Sequence, residues 1–193
     1  MVAIACWYGD PHIVTLDLHK YTFNGKGEFI LIETDDNSFT VQGRMIEAMS
    51  SSNTVAAATV FSAIVARQFD SDPVQIELYY DELIVLINGV ELDFSVLKVQ
   101  RFPNVTISYE GNDTVSVSFT EGEFIQVVNT NGFLSTMIVS LPKSFMGKTS
   151  GLMGPYNGNM SDDLTPRGST TPLPLNTTIK DIHESFGVTC KLN

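Results

Sequence analysis

Short apolar runs that alternate with polar residues and break at Asn-Gly pairs constrain this chain more than any other feature. Leu83 to Ile87 and Val90 to Phe94 flank Asn88-Gly89, and Phe124 to Val128 and Phe133 to Leu141 flank Asn131-Gly132. Both residues of such a pair tolerate left-handed backbone, which a two-residue hairpin turn requires. Val105 to Tyr109 and Val115 to Phe119 flank Gly111-Asn112-Asp113 in the same way. His12 to Asp17, Tyr21 to Phe23, Glu28 to Glu33, Phe39 to Met45, Val60 to Gln68 and Val74 to Tyr80 read as further strands. Many short strands at even spacing predict an all-β fold, an antiparallel meander folded into a sandwich of two antiparallel sheets. The aromatics Trp7, Tyr21, Phe23 and Phe29 are expected in its core.

Two stretches read differently. Val55 to Ala58 is Ala-rich and is expected to be a loop leading into the strand at Val60. From Gly147 to Pro174, Gly, Asn, Asp and Pro cluster and predict an irregular, surface-lying segment, followed by a short helix over Ile179 to Phe186. No internal repeat appears, and residues 1–193 are expected to form a single domain.

Composition sets limits on function. With 43% hydrophobic residues the chain can build a core, so disorder is excluded. A net charge of -11 repels phosphate backbones and anionic lipid, which argues against nucleic acid and membrane surfaces as partners. The apolar run Ala56 to Ala66 is too short to insert in a bilayer. Met1 to Ala5 is too short for a signal peptide, so secretion implies a longer precursor. Four Asn-x-Ser/Thr triplets, at Asn104, Asn112, Asn159 and Asn176, favour the secretory route. Cys6 and Cys190 lie near opposite ends, and their spacing alone does not pair them.

Two constellations carry chemistry. Asn157-Gly158-Asn159-Met160-Ser161-Asp162-Asp163 offers side-chain oxygens around a glycine, a pattern that suits Ca²⁺ but that, taken alone, reads first as an ordinary turn. Zn²⁺ is disfavoured because no Cys or His is near. Gly9-Asp10-Pro11-His12 contains a labile Asp-Pro bond. The Asp10 carboxyl can attack its own main-chain carbonyl, and His12 can protonate the leaving proline nitrogen. Alone, it reads as a turn or strand entry with an incidental His. With three histidines and no nucleophile elbow, Walker loop or dinucleotide fingerprint, the chain gives no sign of a conventional enzyme.

Three segments in order resemble a von Willebrand factor type D domain. They are Cys6-Trp7-Tyr8-Gly9-Asp10-Pro11-His12-Ile13-Val14-Thr15-Leu16-Asp17 with Tyr21-Thr22-Phe23-Asn24-Gly25, then Gly151-Leu152-Met153-Gly154-Pro155-Tyr156-Asn157-Gly158-Asn159 with Asp162-Asp163, and last Ser185-Phe186-Gly187-Val188-Thr189-Cys190. Low cysteine content and the GDPH motif make it most similar to the transmembrane-mucin and sushi-domain-containing kind. The resemblance implies a calcium-binding loop near the C-terminus, with Asp17, Asn157, Asn159, Asp162 and Asp163 as metal residues. It implies a Cys6–Cys190 disulfide, self-cleavage at Asp10-Pro11 involving His12, and glycans at Asn104, Asn112 and Asn176. Met153 departs from the family, many members of which have Cys there.

The function expected from the resemblance is an extracellular calcium-binding structural and interaction module of a mucin-like or adhesive cell-surface protein. Its expected partners are other extracellular proteins or domains of the same precursor. A type D domain of a large lipid-transfer protein is the alternative.

Overall fold

A computed structural model describes residues 2–9, 11–49, 55–111 and 113–192. The strands are, in chain order, β1 (Ala3–Tyr8), β2 (His12–Val14), β3 (Lys20–Thr22), β4 (Gly27–Thr34), β5 (Phe39–Met49), β6 (Val55–Gln68) and β7 (Val74–Tyr79). They continue with β8 (Glu82–Ile87), β9 (Val90–Glu91), β10 (Val99–Phe102), β11 (Val105–Glu110), β12 (Thr114–Phe119), β13 (Phe124–Thr130), β14 (Phe133–Leu141) and β15 (Thr149–Ser150). A one-turn helix α1 (Ile179–Asp181) runs into a wide turn at Ile182–Phe186, where the short helix was expected.

Two antiparallel sheets result. One has the order β10-β11-β12-β13-β14-β1-β2-β3, the other β15-β4-β5-β6-β7-β8-β9. Most neighbours follow one another along the chain, as a meander requires. The exceptions are β1, which inserts between β14 and β2, and β15, which pairs with β4. Asn88 and Gly89 have φ of 48° and 77°, and Asn131 and Gly132 have 52° and 75°, the left-handed pairs that the hairpin turns demand.

The core lies between the sheets. Trp7 of β1 stacks on Phe61 of β6 with ring centroids 3.8 Å apart, and Phe39 meets Phe119 edge-on. Tyr21, Phe23 and Phe29 are buried as expected. Deleting a side chain such as Trp7 from such a core costs about 3–5 kcal/mol.

Three expectations are corrected. Val55 to Ala58 belongs to strand β6, because pairing with β5 from Met49 opposite Val55 overrides the weak β preference of alanine. The strand expected over Val90 to Phe94 stops at Glu91; the Asp93 carboxylate accepts from the Ser95 N–H at 2.8 Å and turns the chain away. The Gly147 to Pro174 segment does not simply lie on the surface, since Leu152, Met153, Asp163 and Leu164 are fully buried.

A bulge in β4 explains that burial. The register of β4 on β5 shifts between Ile30 and Ile32. The carbonyls of Ile30 and Leu31 then accept from the N–H groups of Leu152 and Met153, so the chain beyond β15 keeps following β4 into the interior. Gly151 permits this approach, for a Cβ there would lie 2.6 Å from the Leu31 carbonyl oxygen.

Candidate metal centre

The turn between β2 and β3 carries Asp17, and the segment after β15 carries the Asn157–Asp163 loop. Tertiary structure sews them together. Leu16 N–H donates to the Met153 carbonyl at 2.9 Å, and the Tyr21 hydroxyl donates to the Leu152 carbonyl. Leu18 takes a left-handed φ of 75°, which closes the turn and aims Asp17 at the loop.

Asp17 Oδ2 accepts three successive backbone N–H groups, from Asn157 at 2.9 Å, Gly158 at 2.8 Å and Asn159 at 3.1 Å. Consecutive N–H groups converging on one anion form a nest, and here the anion comes from 140 residues away. Inside the loop, Asp162 Oδ2 accepts from the amide nitrogens of Asn157 at 2.9 Å and Asn159 at 3.0 Å. Asn157 Oδ1 accepts from the Asn159 N–H, and Asn159 Oδ1 accepts from the Ser161 hydroxyl at 2.6 Å. Asp163 Oδ2 accepts from the Thr15 hydroxyl at 2.5 Å. All five metal residues read from the sequence are thus brought together.

Two oxygens remain. Asp162 Oδ1 and Asp163 Oδ1 are buried with no hydrogen-bond partner among the described residues. Burial pushes the Asp163 carboxyl up to about 7, with the charges of Asp17 and Asp162 adding to it and the Thr15 hydrogen bond opposing it. Buried anionic oxygens of this kind call for a counter-charge. Among the described residues no three acidic, imidazole or thiol groups converge closely enough to hold a metal by themselves. A cation here must also draw on amide or main-chain oxygens, which suits Ca²⁺ with its roughly six to eight oxygen ligands. Thr15 and Gly154 adjoin the Asp163 carboxyl and were not singled out from the sequence, although both lie inside the motifs that carry the resemblance. A Cβ on Gly154 would come 2.8 Å from Asp163 Oδ1.

Asp10 and Asn112 lie outside the described residues. Around Asp10, Gly9 has a left-handed φ of 61°, and the carbonyl of buried Pro11 accepts from the Phe23 N–H at 3.1 Å. His12 is exposed, and its Nδ1 lies 2.9 Å from the Thr22 hydroxyl. Asn176 is exposed, whereas Asn104 is half-buried and donates its amide N–H to the Asp70 carbonyl at 2.9 Å.

The implied disulfide is not formed: Cys6 and Cys190 are free thiols. Strand parity explains this. Trp7, Ile13 and Tyr21 line up across β1, β2 and β3 on the inward face, while Cys6, Val14 and Lys20 line up on the outward face. Cys190 is buried within the core cluster that also holds Trp7 and Tyr21, whereas Cys6 lies on the outward face of β1.

The family model for the von Willebrand factor type D domain matches residues 6–169. The chain belongs to that family. This type D domain is similar to Protein mesh of Bombyx mori, 35% identical over 95% of this chain and 12% of that protein. It is similar to Sushi domain-containing protein 2 of Homo sapiens, 32% identical over 84% of this chain and 20% of that protein, and to Mucin-4 of Homo sapiens, 34% identical over 87% and 3%. The chain therefore spans only a small part of the relatives it matches. Homologous mucins, zonadhesin and von Willebrand factor are extracellular or ectodomain proteins, and this type D domain is extracellular, consistent with an adhesive, mucin-like module. Type D domains of mucins and adhesion proteins are structural rather than enzymatic. Among the described residues no helix is long and apolar enough to cross a membrane.

Proposed function

We propose that this type D domain is a calcium-stabilised structural and interaction module of a mucin-like or adhesive cell-surface protein, working with other domains of its precursor or with other extracellular proteins. The observation that carries the calcium reading is the pair of buried, unpartnered oxygens Asp162 Oδ1 and Asp163 Oδ1 beside the Asp17 nest. Asp17, Asn157, Asp162 and Asp163 would hold the ion, with Asn159 giving its main-chain carbonyl. When bound, Ca²⁺ would neutralise charge that the fold concentrates there. The protein groups do the rest: Thr15 orients Asp163, the nest fixes Asp17, and the two asparagine amides fix Asp162.

The test is thermal melting and limited proteolysis with calcium or with chelator. Calcium should raise the melting temperature by mass action and protect residues 147–174. Asp163→Asn should abolish that response, yet be neutral or stabilising in chelator, since it removes a buried charge. An unchanged melt and digest on chelation would remove the calcium reading.

Self-cleavage at Asp10-Pro11 is a second reading, favoured by the left-handed Gly9 and the pinned Pro11 carbonyl on either side. The Asp10 carboxylate would attack its own carbonyl carbon and form a cyclic anhydride. The C–N bond would break as the Pro11 nitrogen takes a proton, from His12 or solvent, and water would open the anhydride. With no disulfide to tether it, the N-terminal piece would stay as strand β1 between β14 and β2. Intact mass under denaturing conditions should show two pieces after incubation in mild acid, with native size unchanged. A single mass that persists for days refutes this reading.

A further inference from the structure

The hairpin between β7 and β8 turns in two residues, Tyr80 and Asp81, with Tyr79 opposite Glu82. Tyr80 has a left-handed φ of 53°. Six non-glycine residues among those described share that conformation, and four of them are asparagines, which tolerate it. A fifth, Leu18, closes the turn that aims Asp17. The hairpin tips Asn88-Gly89 and Asn131-Gly132 use residues suited to left-handed backbone. A bulky Tyr80 is the outlier, and core packing does not offset its strain, since it is 83% exposed.

The tip is nonetheless held in place. Asn129 donates its amide N–H to the Asp81 carbonyl at 2.6 Å, and a Cβ on Gly132 would collide with Asp81 Oδ1. The β7–β8 tip therefore leans on the β13–β14 tip. Tyr79, 61% exposed, meets Tyr80 edge-on with ring centroids 4.8 Å apart, and Phe133, next after Gly132, is 46% exposed. Tyr79 and Glu82 are cross-strand partners and share a face. Asp81 and Glu82 are both exposed and enter no salt bridge among the described residues.

We infer that these two tips form a docking surface for an arginine-bearing, basic segment of a partner polypeptide. Left-handed strain at a side chain that buries nothing is retained where the side chain is displayed for recognition. Exposed tyrosine rings beside solvent-facing carboxylates suit the flat, weakly hydrated guanidinium, which stacks on rings and pairs with carboxylates. The compact, strongly hydrated ammonium of lysine suits them less. A net charge of -11 repels acidic partners and steers basic ones toward the domain. This names a partner chemistry for the interaction-module reading and rests on that reading, but not on the calcium site.

The experiment is an NMR titration of the whole chain with a capped Gly-Arg-Gly-Arg-Gly peptide, its citrulline counterpart, and a neutral N-acetyllactosamine oligosaccharide. The arginine peptide should give saturable shifts at Tyr79 to Glu82 and Asn131 to Phe133, and the other two none. Tyr80→Gly should weaken binding about tenfold or more while the melting temperature holds or rises, because glycine suits the turn. Tyr80→Phe should keep binding, and Asp81→Asn with Glu82→Gln should weaken it and flatten its salt dependence. No saturable shift, an equal response to citrulline, or unchanged affinity in Tyr80→Gly overturns the proposal. So does oligosaccharide binding at these tips in place of the peptide, which makes them a glycan site. Lost binding with a lowered melting temperature in both Tyr80→Gly and Tyr80→Asn gives the ring a structural role and overturns it too. If the titration fails while calcium still raises the melting temperature, this surface falls and the calcium-stabilised module stands.

Discussion

Thr15 and Asp163 are joined by a 2.5 Å hydrogen bond, hydroxyl to carboxylate, across 148 residues of chain. The same Thr15 oxygen accepts from the His19 N–H at 2.8 Å, so one buried side chain knots the β2–β3 turn to the acidic loop. Thr15→Val keeps the shape and removes the hydroxyl, leaving a carboxylate oxygen and an N–H buried and unmet. The expected loss is about 1–3 kcal/mol, read as a lower denaturant midpoint at constant m-value. Thr15→Ser should retain most of the stability.

Two glycines in the same region separate backbone strain from contact. Gly154 and Gly158 both have positive φ, 72° and 82°. A Cβ at Gly154 would strike Asp163 Oδ1, while one at Gly158 meets only the Met146 methyl at 3.8 Å. Gly158→Ala should therefore cost about 1–2 kcal/mol, the left-handed penalty alone. Gly154→Ala should cost more and also blunt any calcium response. Thermal melts with and without calcium check both.

Glu123 predicts a pH dependence. Its folded pKa is raised by burial above the ordinary 4.5, so the folded state binds more protons than the unfolded state between those two values. The stability it contributes is fully present below the unfolded value and is lost as pH rises through the folded one. Glu123→Gln should remove that decline and be the more stable protein at neutral pH, a comparison made by melting both across the acid-to-neutral range. Equal pH profiles for the two proteins would contradict it.

The two thiols should behave differently. Burial raises both pKa values, that of Cys190 to about 11, but Cys6 is half-exposed on the outer sheet face. Alkylation of the folded, unreduced protein should modify Cys6 slowly and Cys190 only after unfolding. Mass analysis in denaturant without reductant should find two labels; none would mean that the sulfurs are bonded after all.

How much was legible follows from where each signal sits. Asn88-Gly89 and Asn131-Gly132 specify their own turns, because left-handed backbone is a property of the residues themselves. The strands they join were readable for the same reason. Strand β1 was not read, because its two faces, Ala3, Ala5 and Trp7 inward and Ile4, Cys6 and Tyr8 outward, are both largely apolar and leave no alternation to see. Strand β10 was not read either, because Val99 and Phe102 fall on opposite faces around two polar residues, so neither face is apolar.

At the acidic loop, sequence by itself determined the oxygen-rich composition of Asn157 to Asp163 and, through the family resemblance, the pairing with Asp17. Only tertiary structure decided which oxygens stay free. Asp17 Oδ2 is taken by three backbone N–H groups, and Asp163 Oδ2 by Thr15, while Asp162 Oδ1 and Asp163 Oδ1 are buried without partners. Tertiary structure also decided the fate of the cysteines. Sequence records that Cys6 and Cys190 exist near opposite ends of the chain. Strand pleating turns alternate side chains of β1 to opposite faces, so the register that buries Trp7 points Cys6 away from the core that holds Cys190, and no local property of either residue carries that information.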